Sequence, residues 1–147
     1  MSLGDWSRNS WLVAHKTSPE EIDGILAVVE RDLANARVAG LSEERRFNIA
    51  YNAAPQAATA ALAAAGYRAA REQQHYRTIQ SIALTVGSPA TRVDQFDRFR
   101  KKRNIVGYES SGVVSSREAL EMYELAAALR DEVIAWLRKR YPKLLKR

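Results

Sequence analysis

The sequence predicts an all-α protein, an antiparallel helical bundle of four long helices with a short extra one. Three observations carry this. Apolar residues recur at helical spacing behind repeated N-cap signals. No stretch alternates apolar and polar residues between hairpin turns. The 147 residues suffice for one cored domain and hold no internal repeat of fixed period. We divide the chain into an N-terminal arm (1–17), a helical bundle domain (18–141) and a basic tail (142–147).

The arm carries Trp6, Trp11, Leu12 and Val13 without a clear period, which predicts a short segment, with room for a helical turn, resting its tryptophans on the body. The first helix starts at Ser18-Pro19-Glu20-Glu21. Ser18 suits the N-cap, Pro19 the first helical position, and Glu21 the far side of a capping box. Ile22, Leu26, Val29 and Leu33 follow as its inward stripe, and Gly40 is its expected end. The second helix opens with Ser42 as N-cap and Glu43 and Glu44 in its first turn. Phe47, Tyr51, Ala54, Ala58, Leu62 and Ala65 form its inner face, Pro55 is expected to kink it, and Gly66 stops it. Alanine richness from Ala53 to Ala65 allows a neighbouring helix, or a second copy of the chain, to approach closely.

A third helix is expected over Gln73 to Val86, with Tyr76, Ile79, Ala83 and Val86 on one face. Gly87-Ser88-Pro89 ends it and launches a fourth, on which Val93, Phe96, Phe99 and Arg103 share a side. Ser110 to Val114 reads as a loop. Ser115 and Glu118 form another capping box, opening a final helix to about Tyr141 with Leu120, Tyr123, Ala127, Arg130, Val133 and Leu137 as its stripe. Pro142 ends it, and basic residues follow.

Composition narrows the function classes. Hydrophobic residues make up 46% and charged residues 27%, an ordinary soluble balance. The net charge of +6 favours a polyanion or an acidic protein as partner. The absence of cysteine excludes disulfides and thiolate metal sites. With no signal-peptide pattern and no apolar run of about 20 residues, the expected location is cytoplasmic, with no membrane contact. No Gly-rich phosphate loop and no His-x-x-x-His pair occur, so neither cofactor nor metal is expected. His15 reads as a linker or surface residue. His75 reads as a solvated or locally bonded imidazole, with a cleft-facing position as the alternative.

One segment concentrates chemistry: Arg100-Lys101-Lys102-Arg103-Asn104-Ile105-Val106-Gly107-Tyr108. Cations near a helix C-terminus complement its dipole and need no function. Arg103, however, falls on the stripe of Phe96 and Phe99, which turns its stem inward while its guanidinium fork still needs a partner. An Arg followed by an Asn and then a phenol suits a phosphate pocket.

In this order the residues resemble the signature of the HEPN superfamily, helical bundles with an Arg, a following polar residue such as Asn, and a His about five positions after the Arg. Tyr108 stands where the nuclease members carry His, as in subgroups of the Arg-Asn-x-x-x-Tyr kind. Tyr51 to Arg68, the loop after the motif, and the long last helix look alike as well, so the resemblance spans most of residues 18–141. It implies a homodimer with the motif helices lining a basic cleft, and a toxin–antitoxin or defence role beside a nucleotidyltransferase-type antitoxin. It implies RNA or a nucleotide bound by Arg103, Asn104 and Tyr108, with Arg100, Lys101 and Lys102 as an electrostatic rim. It also implies metal-independent ribonuclease chemistry in many members, for which Arg103 and Tyr108 are the catalytic candidates here. An ordinary phenol titrates near 10 and is a poor base at neutral pH. Three readings therefore stand open: a binding protein, an active ribonuclease toxin, and a non-catalytic structural or adaptor protein.

Overall fold

The computed structural model describes residues 1–105 and 112–146. Among these, six α-helices and one two-stranded sheet occur: α1 (Leu3–Arg8), β1 (Leu12–Ala14), α2 (Pro19–Ala36), α3 (Glu43–Ala64), β2 (Tyr67–Ala69), α4 (Gln74–Gln80), α5 (Ala90–Ile105) and α6 (Ser116–Arg140). The protein is mostly helical. No helix among the described residues is long and apolar enough to cross a membrane.

The helix starts lie where short-range chemistry puts them. Ser18, Ser42 and Ser115 each accept a hydrogen bond from the backbone N–H three residues on, satisfying a donor that the first turn leaves free. At α6 the box is reciprocal, with Glu118 accepting from the Ser115 backbone N–H. At α2 it is not. Glu21 turns away to Thr17 (2.6 Å) and to His15 Nε2 (2.7 Å), tying the incoming strand to the helix. His15 is thus held against Glu21 rather than freely solvated.

The centre of the molecule is α3, packed between α2 and α6. Phe47, Ala50, Ala53, Ala54, Ala57, Ala58, Ala60 and Ala61 are all fully buried, so this helix is surrounded on nearly every side. Alanine stems permit the close approach expected of them, and the approach is made within the chain. The buried alanines of the Ala53–Ala65 stretch are therefore already occupied by packing within the chain. The helix runs through Pro55, and the Thr59 hydroxyl donates to the Pro55 carbonyl (2.8 Å).

Several sequence expectations are corrected. The arm rests Trp6 on the body as expected, from the helix α1, and adds a strand that was not expected: β1 pairs antiparallel with β2 in the register Leu12↔Ala69, Val13↔Arg68, Ala14↔Tyr67. Strands of three residues are too short to show an alternation, and only long-range pairing creates them. Helix α2 ends at Ala36, before Gly40, which instead takes φ +89° in the connection to α3. The expected third helix is only α4, followed by a 3-10 turn at Ser81–Ala83, and Ala83 is exposed.

The stripe of α6 holds at Val133 and Leu137 as expected but is rotated from the expected one in the first half of the helix. Ala119, Met122, Leu125, Ala126, Leu129, Val133 and Leu137 are buried, while Leu120 is 55% exposed. Facing the alanines of α3, small residues on α6 bury as effectively as large ones because the helices can close on each other. The basic tail packs back on the body through its described residues. Pro142–Leu144 form a 3-10 turn, Leu144 and Leu145 rest on the core, and Lys146 lies 3.8 Å from Glu20.

Candidate nucleic-acid interface

The rotation of α5 is set by aromatic packing. Phe96 meets Tyr51 edge-on at 6.0 Å between ring centroids, and Phe99 meets Phe47 at 5.6 Å. Residues three and four positions further along a helix share a face. Arg100 and Arg103 therefore follow Phe96 and Phe99 along the same side, and Asn104 follows Arg100. All three line a cavity of about 280 Å³ together with Tyr51 and Asn52 of α3 and His75 of α4.

The two lysines go elsewhere, as consecutive helical residues must. Lys101 is exposed and lies 3.5 Å from Asp97 one turn back. Lys102 pairs with Glu118 of α6 at 3.1 Å and lines a separate cavity with Arg98 and Glu121. The run of four cations is thus divided, and only Arg100 and Arg103 line the cavity with Asn104. Tyr108 lies outside the described residues.

The two arginines are not equivalent. Arg100 donates from Nε to Asp97 (2.8 Å), and its guanidinium sits 5.7 Å from the Tyr76 ring centroid, so it is braced and partly neutralised. Arg103 enters no ion pair among the described residues, and its Nε is buried without a hydrogen-bond partner. A buried donor left unmade is destabilising by about 1–3 kcal/mol.

Burial pushes the Tyr51 phenol up to about 12, against the opposing pull of Arg100 and Arg103. It stays neutral at physiological pH and is not a base there. His75 also lines an adjoining cavity of about 500 Å³, shared with Arg71, Gln73, Gln74, Tyr76 and Arg100. Gln73, which opens α4, is held in the left-handed region at φ 55° without a side-chain cap. The two cavities meet through His75 and Arg100, giving a cationic pocket beside a polar, aromatic one.

Sequence reasoning missed Tyr51 and Asn52 as site residues because Tyr51 reads as core and Asn52 as the polar side of an alanine-rich helix. The available signal was the adjacency of the two at the edge of the apolar stripe. His75 is exposed, as its solvated reading has it, and it also lines the cavity with Arg103. Among the described residues, no group of three or more His, Asp or Glu side chains is arranged to hold a metal ion. Comparison with known protein families, curated proteins and solved structures finds no match to this chain.

Proposed function

We propose that this chain is a HEPN-like antiparallel bundle, with α2, α3, α5 and α6 as its four long helices, that binds RNA or a nucleotide in the Arg103 cavity. One observation carries the reading: Arg103, in no ion pair among the described residues, lines a cavity that also presents Arg100, Asn104, Asn52 and His75. A guanidinium fork suits the paired oxygens of a phosphate, and a carboxamide suits a sugar or base edge. Tyr76, beside Arg100, gives a ring on which a base can stack. Following the same resemblance, the protein works in the cytoplasm as a homodimer beside a nucleotidyltransferase-type partner in a toxin–antitoxin or defence setting.

A second reading, metal-independent ribonuclease, is favoured by the position of His75. An imidazole in the cavity of a phosphate-binding Arg can accept the proton of a ribose 2′-hydroxyl. The 2′-oxygen then bonds to phosphorus and the 5′-oxygen leaves, with a proton delivered to it, giving 2′,3′-cyclic phosphate ends. In this scheme His75, distant in sequence from Arg103, takes the role of the missing motif histidine, and Tyr108 is an accessory hydrogen-bond donor.

Incubation of the purified protein with total cellular RNA, with EDTA present, tests both. Retention of RNA on the wild type and its loss in Arg103→Ala is the expected result for binding. Cleavage lost in both Arg103→Ala and His75→Ala selects the nuclease. RNA retained equally by Arg103→Ala would move the function away from this cavity.

A further inference from the structure

The charge of the chain is concentrated in one place. Residues 138–147 hold six cations and no acid, and the rest of the chain balances as many cations against its 17 acids, so the whole net charge of +6 resides in this stretch. Its described part is the last turn of α6, with Arg138, Lys139 and Arg140, and the 3-10 turn Pro142–Leu144, with Lys143. These four side chains are exposed. Lys146, with Glu20 at 3.8 Å, is the one described cation of the stretch that meets an acid. Cations in a last helical turn offset the helix dipole, but that effect ends with the turn and does not account for Lys143.

The cluster lies apart from the Arg103 cavity. Lys102, next to Arg103, pairs with Glu118 in the first turn of α6, and Arg138 stands in the last turn, about 30 Å further along the helix. The apolar side chains nearby decide the class of partner. Trp136, Tyr141, Leu144 and Leu145 pack on the core, with the rings of Trp136 and Tyr141 edge-on at 5.2 Å. The large hydrophobic side chains exposed among the described residues are Met1, Val13, Val38, Ile105 and Leu120, none of them in this stretch. A protein interface is anchored by apolar or aromatic side chains at its centre, and a membrane-surface helix inserts an apolar face. A nucleic-acid interface is polar and strongly positive, and phosphate contacts alone can form it.

We propose that the end of α6 and the turn after it form a docking surface for a nucleic-acid strand, held through its phosphate backbone alone. Arg138 and Arg140 offer guanidinium forks to phosphate oxygens, and Lys139 and Lys143 offer point charges. Such contacts carry no base information, and RNA and DNA are held equally. They are weak at physiological salt, with Kd of about 10⁻⁴ to 10⁻⁶ M, so the surface adds to strand binding elsewhere and does not retain RNA by itself. The inference does not rest on the nucleotide reading of the Arg103 cavity.

The test is fluorescence anisotropy of the full chain with labelled RNA and DNA strands of about 20 nucleotides over a salt series, in the wild type and in Arg103→Ala. Replacing Lys139, Arg140 and Lys143 together by Gln is expected to flatten the slope of log K against log salt by at least about 1.4, two contacts at about 0.7 each. At 50 mM salt it is expected to weaken binding by roughly tenfold or more, by the same factor for RNA and DNA and in both backgrounds. The charge-keeping set Lys139→Arg, Arg140→Lys and Lys143→Arg is expected to bind as its parent does, with melting temperatures unchanged in both sets. An unchanged slope in the Gln variant, an equal loss in the charge-keeping variant, or unequal losses for RNA and DNA would each overturn the proposal. So would tighter binding of polyglutamate or of phosphatidylserine vesicles than of either strand at the same salt. A loss confined to Arg103→Ala would leave the cavity reading standing and remove this one.

Discussion

The division of the basic run predicts how salt should act on RNA binding. A cation that contacts a phosphate on a single strand releases counterions and contributes about −0.7 to the slope of log K against log salt. Arg100 and Arg103 both line the cavity, so the two together are expected to contribute about −1.4. Between 50 and 200 mM salt, one such contact corresponds to a loss of about 2.6-fold in affinity and two to about sevenfold. Arg103→Ala should flatten the slope by about 0.7 and, through loss of a charge-assisted hydrogen bond, weaken binding ten- to hundredfold or so. Lys102, paired with Glu118 and lining another cavity, should change affinity by less than about twofold when replaced by Ala. The assay is fluorescence anisotropy with a labelled single-stranded RNA over a salt series for wild type and both variants. If Lys102→Ala flattens the slope and Arg103→Ala leaves it untouched, the assignment of the cavity is wrong.

Three further outcomes follow from packing and titration. The Tyr51 phenol is protonated up to about pH 12 in the folded chain, against about 10 when unfolded. Its contribution to stability is therefore complete below pH 10 and lost as pH rises from 10 to 12, up to about 2–3 kcal/mol, and Tyr51→Phe should decline less steeply in urea titrations across that window. Leu129→Ala, at a fully buried position on α6, should lower stability by about 2–5 kcal/mol, whereas Leu120→Ala should stay within about 0.5 kcal/mol. Equal effects in chemical denaturation would mean that α6 is rotated from the orientation described. Ser115→Ala removes one arm of the capping box of α6 and should lower the unfolding free energy by about 1 kcal/mol, with no change in the denaturant slope.

Much of the helical plan could be read directly from short-range patterns. Ser18-Pro19, Ser42 and Ser115 with Glu118 act through bonds across three residues, so their effect does not depend on what surrounds the helix. The same holds for the aromatic stripe of α5, where large apolar side chains leave little choice of inward face. The stripe of α6 was harder. Its helix offers two plausible faces, one through Leu120, Tyr123 and Ala127, the other through Ala119, Met122 and Ala126. The second is buried because it meets the small-residue surface of α3, a fact about the partner helix rather than about α6. The strands escaped notice for a related reason. Leu12–Ala14 and Tyr67–Ala69 have no period of their own and become strands only by pairing across more than fifty residues.

The candidate site divides in the same way. The sequence alone determined that Arg100, Arg103 and Asn104 share a helix side, since helical geometry assigns positions three and four apart to one face. It also determined that four consecutive cations could not all point together. Only the tertiary structure decided that Tyr51, Asn52 and His75 line the same cavity, because docking of α5 on α3 and the turn into α4 set those distances. It decided too that Lys102 belongs with Glu118. Caps and helix faces arise from contacts a few residues apart, which the order of residues specifies. A site built from three separate elements arises from how whole surfaces fit, which depends on the shape of every helix packed against them.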